Sequence, residues 1–384
     1  MAKSLHIAIT SILFDMKPEG ICTGRLVRAL LAQGHRITLL TSTKQDSDFE
    51  HPNLRKIVIS HKMRDPRWFF KVLARFQADI YSNFYLWSRR AAKFDFGEDV
   101  PDVFYGRAWP HASLVPAYHL AERYKKPLIL HFSDPFQVPP GDQYSPSRFY
   151  TDLQRMVDAA DAITFTNEET IHYQKKYLTF ENAKAFVLNH VAPEPMVFGE
   201  PENKHHFYYV GVVNAERPAT PLLQGFALHI KDYPDSRLTF VGSLEKYLAP
   251  DVDALGLKGY VDILPFSRDV KDVFRKAGVL VSIDALIDQP IYTPTKVVEY
   301  MMTDRPVLAL TPPNSPVSRL LARASETALA VTDYSPKAIA EGLATIIRDD
   351  WRAEKFAARM ACMQDFSAAS VAEKFEQIVD PLFV

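Results

Sequence analysis

The residues best placed to do chemistry in this chain lie in one run, Thr293-Pro294-Thr295-Lys296-Val297-Val298-Glu299-Tyr300. Thr293 is a good N-cap, and Pro294 suits the first helical position, where a missing N–H costs nothing. Thr295 and Lys296 then fall in the first turn, with Glu299 one turn further on the same face. A diphosphate at such a helix start would meet unspent N–H groups, the Thr295 hydroxyl and the Lys296 ammonium. A carboxylate at Glu299 could accept hydrogen bonds from both hydroxyls of a ribose. A solvated Lys–Glu pair on an ordinary helix explains the same residues, so the run alone leaves both readings open.

A second candidate is Pro127-Leu128-Ile129-Leu130-His131-Phe132-Ser133-Asp134-Pro135. An apolar strand here ends in His131, Ser133 and Asp134, groups suited to sugar hydroxyls. A site built from imidazole and carboxylate is selective, because an absent hydroxyl leaves a buried polar group unpaired. The plainer alternatives are a satisfied core histidine for His131 and a loop N-cap for Asp134. A third is the segment Asp15-Met16-Lys17-Pro18-Glu19-Gly20-Ile21-Cys22-Thr23-Gly24-Arg25. It lacks the G-x-G-x-x-G fingerprint, which argues against a nicotinamide or flavin enzyme. It still delivers glycines to a helix start, so Gly20 is either close to a donor phosphate or part of an ordinary βα turn.

The elements that must position these residues form a regular pattern. Short apolar runs at Leu5–Ile12, Arg36–Thr41, Leu54–Ser60, Asp102–Tyr105, Pro127–Phe132, Ala162–Thr166 and Ala185–Leu188 read as strands. Segments with three- and four-residue apolar spacing, such as Ile21–Gln33 and Ala112–Tyr124, read as helices between them. Alternation of this kind implies right-handed βαβ crossovers and a parallel sheet. It breaks at Asn189–Asn203, where Pro193, Pro195 and Pro201 suggest an interdomain linker. It resumes with strands at His206–Gly211, Leu238–Gly242, Val261–Pro265, Val279–Asp284, Pro306–Leu310 and Ala328–Val331. Helical patterns at Pro218–Lys231, Asp269–Ala277, Thr295–Thr303 and Pro336–Ile347 fall between these, and Trp351–Gln364 and Ser370–Val379 close the chain as helices. The expected fold is α/β, two Rossmann-like doubly wound domains facing across a cleft. The domains run from 1 to 190 and from 205 to 365, with a linker at 191–204 and a final helix at 366–384 expected to pack back on the first. Ligands of such sheets bind outside the strand C-termini.

Composition narrows the class. With 384 residues, 47% hydrophobic and 24% charged, the chain suits two globular domains. Its net charge of -1 gives no overall field for nucleic acid. Cys22 and Cys362 are too few and too far apart for a disulfide framework or metal cluster, and read as small buried hydrophobes. The N-terminal residues read as a strand rather than a signal segment, and no run of 18 apolar residues occurs. The expected compartment is the cytoplasm.

In order and spacing these segments resemble the GT-B retaining glycosyltransferases of family four over nearly the whole chain. Gly20 to Thr41 is similar to the family's glycine loop, first helix and "rGHxVxxxT" strand. Ala160-Asp161-Ala162-Ile163-Thr164-Phe165-Thr166 is similar to its "aDxvixxS" strand, and Asn189 to its linker Asn. Tyr209-Val210-Gly211 with Leu238–Gly242 resembles the opening of its donor domain. Thr295-Lys296-Val297-Val298-Glu299-Tyr300-Met301 followed by Asp304-Arg305-Pro306-Val307-Leu308 resembles its "SKxxEYmaxgxPvl" motif. The resemblance implies a nucleoside-diphosphate sugar in the second domain, with Glu299 on the ribose and Lys296 near the diphosphate. It places Asp134 against the transferred sugar and implies retention of configuration. The departing diphosphate would act as base, with no metal or other cofactor required. Two features depart from the pattern. The position eight before Glu299, where many members carry a second glutamate, is Ile291, and the basic residue expected after Gly211 is Val212. Arg217 is then the nearest cation for the other phosphate contact, and Phe266-Ser267-Arg268 is a possible wall for the base.

The stretch Arg64–Lys93 interleaves Trp68, Phe69, Phe70, Phe76, Tyr81, Phe84, Tyr85 and Trp87 with Arg67, Lys71, Arg75, Arg89, Arg90 and Lys93, against only Asp65 and Asp79. Such a helix could lie on an anionic bilayer, which suits a lipid-linked acceptor, or bury its aromatics in the first domain. Nucleic acid is not an expected partner, and the sequence does not set an oligomeric state. Three functions compete: a transferase acting on a glycan or lipid-linked acceptor in cell-surface polysaccharide or glycolipid synthesis, a nucleotide-sugar epimerase of the same fold, and a catalytically weak nucleotide-sugar or glycan-binding protein.

Overall fold

The computed structural model describes residues 4–42, 49–60, 84–108, 111–136, 146–243, 245–287, 290–348 and 353–383. Most of the basic aromatic stretch 64–93 therefore lies outside the described residues. The chain divides into two compact units, Met1–Val191 with Phe366–Val384, and Ala192–Asp365.

In the first unit, short runs, buried on both faces in the middle strands and partly exposed at the edges, form a seven-stranded parallel sheet, β1(His6–Thr10), β2(Arg36–Thr41), β3(Leu54–Val58), β4(Val103–Ala108), β5(Leu128–Phe132), β6(Ala162–Phe165) and β7(Ala185–Val187). Its order is β3-β2-β1-β4-β5-β6-β7, so the winding reverses between β1 and β4. Leu26, Val27 and Leu30 of the first helix and Val371, Phe375 and Ile378 of the last pack on the face that carries Ile7, Ile9, Tyr105 and Ile129. Leu114, Ala117 and Leu120 with Leu153, Met156 and Val157 cover the opposite face, over Ala8, Phe104 and Leu130. The last helix, Ala368–Val379, thus completes the first unit's core. Its Phe375 ring lies edge-on to Tyr105 at 5.3 Å, and Glu376 pairs with buried His35 at 2.9 Å.

The second unit repeats the design with six parallel strands, β8(His206–Val210), β9(Arg237–Val241), β10(Val261–Leu264), β11(Val279–Ile283), β12(Val307–Leu310) and β13(Ala328–Val331). Their order is β10-β9-β8-β11-β12-β13, with the reversal between β8 and β11. Part of the proline-bearing run is stitched to this unit: Met196 donates to Met302 O and accepts from Asp304 N, and the Asp304 carboxylate takes the N–H groups of Phe198 and Gly199.

Several helices differ from expectation. The first spans Lys17–Ala32 and so starts before Ile21, because Pro18 and Glu19 suit its opening turn. Further helices at Pro146–Ala159, Glu168–Gln174, Glu245–Ala254 and Pro316–Ala322 were not expected. Of these, Glu168–Gln174 and Pro316–Ala322 are capped by Asn167 and Ser315, whose side chains accept from Thr170 N and Ser318 N. Glu245–Ala254 carries Pro250 inside it, which hides it from a propensity reading. Cys22 is buried, but Cys362 is only partly so and donates its thiol to Arg323 O at 2.8 Å.

Candidate active site

In a doubly wound sheet the two strands at the reversal part at their C-terminal ends and leave a crevice for a ligand. In the second unit those ends are Val210-Gly211 and Ile283-Asp284. Gly211 has φ +141, a conformation that favours glycine, and its N–H donates to Val241 O at 2.8 Å. A Cβ at Gly211 would stand 2.5 Å from Lys296 Nζ, so the bare backbone makes room for that ammonium. Lys296 Nζ donates to the Tyr209 hydroxyl at 3.2 Å and lies 4.5 Å from the centre of its ring. Tyr209 in turn donates to Val212 O at 3.0 Å, tying strand, loop and lysine together.

The charges gathered here act on one another. Burial, then Arg217, lowers the Lys296 ammonium to about 8, while Asp284 and Glu299 pull it back up. Burial raises the Asp284 carboxyl, against the N–H of Ala285 at 2.8 Å, the Thr311 hydroxyl at 2.9 Å, and the charges of Arg217 and Lys296. Arg217 sits in a tight turn, its N–H donating to Asn214 Oδ1 at 2.9 Å. The structure therefore brings Lys296, Arg217 and Glu299 into one electrostatic neighbourhood. Val212 is more than half exposed.

The local helix differs from expectation by one residue. It spans Thr295–Met301, Pro294 rather than Thr293 takes the N-cap position, and no side chain caps it. Val297 N donates to Pro294 O at 3.0 Å, which leaves the N–H groups of Thr295 and Lys296 ahead of the helical ladder. With seven residues its dipole is modest, so side-chain cations must carry most of the attraction for an anion. Tyr300, fully buried, accepts from Val210 N at 3.0 Å and fixes this helix beside β8.

Asp284, Tyr209 and Tyr300 were missed as site residues. Asp284 had a signal, a polar residue ending an apolar run, the pattern that drew attention to His131. Tyr209 and Tyr300 had none, because a tyrosine in an apolar strand or helix reads as core.

In the first unit the expected residues separate. Asp134 is exposed in the loop after β5. His131 is buried within β5, with Nδ1 2.9 Å from Thr164 Oγ1 and Nε2 without a partner. Burial, then the charges of Arg107 and His190, holds it neutral, far below the usual imidazole range. Gly20 lies in the first turn of the first helix, buried, where a Cβ would press on Leu13 and Phe14 at 3.1–3.2 Å. Its visible job is close packing of that turn. No cluster of three or more metal-ligating side chains occurs among the described residues. None of their helices is long and apolar enough to cross a membrane.

Residues 191–361 match the family Glycosyl transferases group 1. The whole chain is similar in fold to a glycosyltransferase from Rickettsia africae, at 12% identity and TM-score 0.67 with 99% of each chain covered. It is similar to HepE from Anabaena crystallised with UDP-glucose, at 14% identity and TM-score 0.68 with 99% of each covered. It is also similar to a UDP-forming α,α-trehalose-phosphate synthase from Burkholderia xenovorans, at 12% identity and TM-score 0.68 with 100% of each covered. No curated protein matches the chain in sequence. The fold is thus the two-domain GT-B architecture, and it is the second unit that carries the match to Glycosyl transferases group 1.

Proposed function

We propose that this chain is a glycosyltransferase that draws its sugar from a nucleoside-diphosphate donor bound at the reversal of the second sheet. The observation that carries the reading is Lys296, an ammonium partly stripped of water above the bare backbone of Gly211. A desolvated cation gains most from a ligand that brings negative charge. In this reading Lys296, Arg217 and the N–H groups of Thr295 and Lys296 hold the diphosphate, and Glu299 holds the ribose hydroxyls. Arg217 supplies the charge that Val212 lacks.

The first donor to try is UDP-glucose, since HepE was crystallised with it and the Burkholderia synthase is UDP-forming. The acceptor is a glycan or lipid-linked hydroxyl in cell-surface polysaccharide or glycolipid synthesis, and Asp134 contacts the transferred sugar. The anomeric C–O bond to the diphosphate breaks, and the acceptor oxygen forms the new bond on the same face. Its proton passes to the departing diphosphate, so the reaction retains configuration without a metal. A peripheral place at the inner membrane face fits the composition of 64–93. Salt-reversible co-sedimentation with anionic vesicles checks this, and no binding at low salt discards it.

Incubation with a panel of UDP- and GDP-sugars tests the donor reading. Nucleotide release with one of them is expected. Isomerised sugar without release would make the chain an epimerase, and binding without turnover a nucleotide-sugar-binding protein.

A further inference from the structure

The first unit holds a cation that the donor reading does not use. Arg107, next to last in β4, is 5% exposed at the end of the strand where the first sheet reverses. Its Nε donates to Thr23 Oγ1 at 3.2 Å and its Nη1 to the Tyr105 hydroxyl at 3.2 Å. Both partners are neutral. Among the described residues no carboxylate pairs with it, whereas Arg28 is held by Asp15 at 2.6 Å and Arg36 by Asp99 at 2.6 Å. Thr23 is itself occupied, donating to Glu19 O at 3.0 Å.

The surroundings of Arg107 add positive charge. His131 is its register partner on β5, so both side chains rise from the same face of adjacent strands, about 5 Å apart. The charges that bear on His131 come from Arg107 and His190, and those on His190 from Arg107 and Arg25. His131 Nε2, 1% exposed, has no partner. A buried guanidinium without a counter-ion, beside a second unsatisfied polar atom, is costly in a resting fold. The arrangement is complementary to an anion that arrives with its own oxygens, and phosphate matches a guanidinium's fork.

We propose that Arg107 and His131 form a phosphate-binding site at the reversal of the first sheet, one that takes a phosphate monoester. Arg107 supplies the charge. In the tautomer this site requires, His131 Nδ1 accepts from Thr164 Oγ1, 2.9 Å away, and Nε2 carries the hydrogen and donates to a phosphate oxygen. Thr23 and Tyr105 hold the guanidinium in place. As a deepening of the transferase reading, the phosphate belongs to the acceptor, and the acceptor is a phosphorylated sugar or lipid.

The test is a titration of the full chain with inorganic phosphate, a hexose phosphate and the unphosphorylated hexose, following the His131 imidazole resonances by NMR. Expected is a saturable shift with both phosphates and none with the hexose, with Nε2 carrying the hydrogen. Tighter binding of the hexose phosphate places the group on the acceptor, and equal binding makes free phosphate the ligand; both support the site. Arg107→Gln should weaken phosphate binding tenfold or more while leaving UDP affinity unchanged, and Arg107→Lys should restore part of it. No shift of His131 in the wild-type chain with either phosphate overturns the proposal, and so does an unaltered phosphate affinity in Arg107→Gln. UDP binding on the same sample keeps the two readings apart, because loss of one leaves the other measurable.

Discussion

Lys296 sits where two demands meet, since burial disfavours its charge and the proposed diphosphate contact requires it. The free enzyme releases this proton near pH 8, whereas an unfolded lysine holds it to about 10.5. In the absence of ligand the unfolded chain binds more protons across that window, so the lysine's contribution to stability rises with pH there. For the ligand the sign is opposite. Below about 8 the ammonium is present and UDP binds fully. Above it, affinity should fall by about tenfold per pH unit as one proton must be regained. Calorimetric titration between pH 6.5 and 9.5 shows this directly, and Lys296→Arg should flatten the profile because a guanidinium stays charged. A flat wild-type profile would remove Lys296 from the diphosphate. Gly211 tests the same point from the backbone side. Gly211→Ala combines a strained φ with a methyl 2.5 Å from Nζ, so it should displace the ammonium and weaken UDP by about tenfold or more. Unchanged UDP affinity in a folded Gly211→Ala variant would show that Lys296 can act from elsewhere.

Between elements, the first unit depends on a helix that the chain delivers only after finishing the second. Phe375, Val371, Ile378 and Val379 are nearly inaccessible against the first helix and the sheet. Phe375→Ala should cost about 3–5 kcal/mol, read by urea denaturation monitored in the first unit. A loss below about 1 kcal/mol would mean that this helix is a peripheral addition. This scale is also where the sequence was most and least legible. Every strand among the described residues was visible, most of them because parallel strands buried on both faces are continuous apolar runs bounded by turns. Helices such as Glu168–Gln174 and Pro316–Ala322 were not, since seven residues hold too few turns to show a period. The start of the helix at Thr295 differs from expectation by one residue, because Pro294 takes the N-cap position expected for Thr293 and no side chain caps the helix. Among site residues, Lys296 and Glu299 could be singled out by spacing. Asp284 carried only the weak signal of a polar residue ending an apolar run, and Arg107 carried none, because it gains its meaning from a neighbouring strand remote in sequence.

Across the whole molecule, two doubly wound units each leave polar residues at the point where strand order reverses. In the second these are Asp284 beside the bare backbone of Gly211 and, from the next helix, Lys296; in the first it is Arg107, with His131 on the neighbouring strand. Under the proposed function the second unit holds the donor and the first the acceptor. The central claim is that Lys296 binds the donor's diphosphate. It is tested most directly by following nucleotide release from UDP-glucose and a panel of other UDP- and GDP-sugars with the wild-type chain and Lys296→Ala side by side. Release by the wild-type chain with one donor, reduced about tenfold or more in the variant, is the result predicted. Equal release by both chains would contradict it.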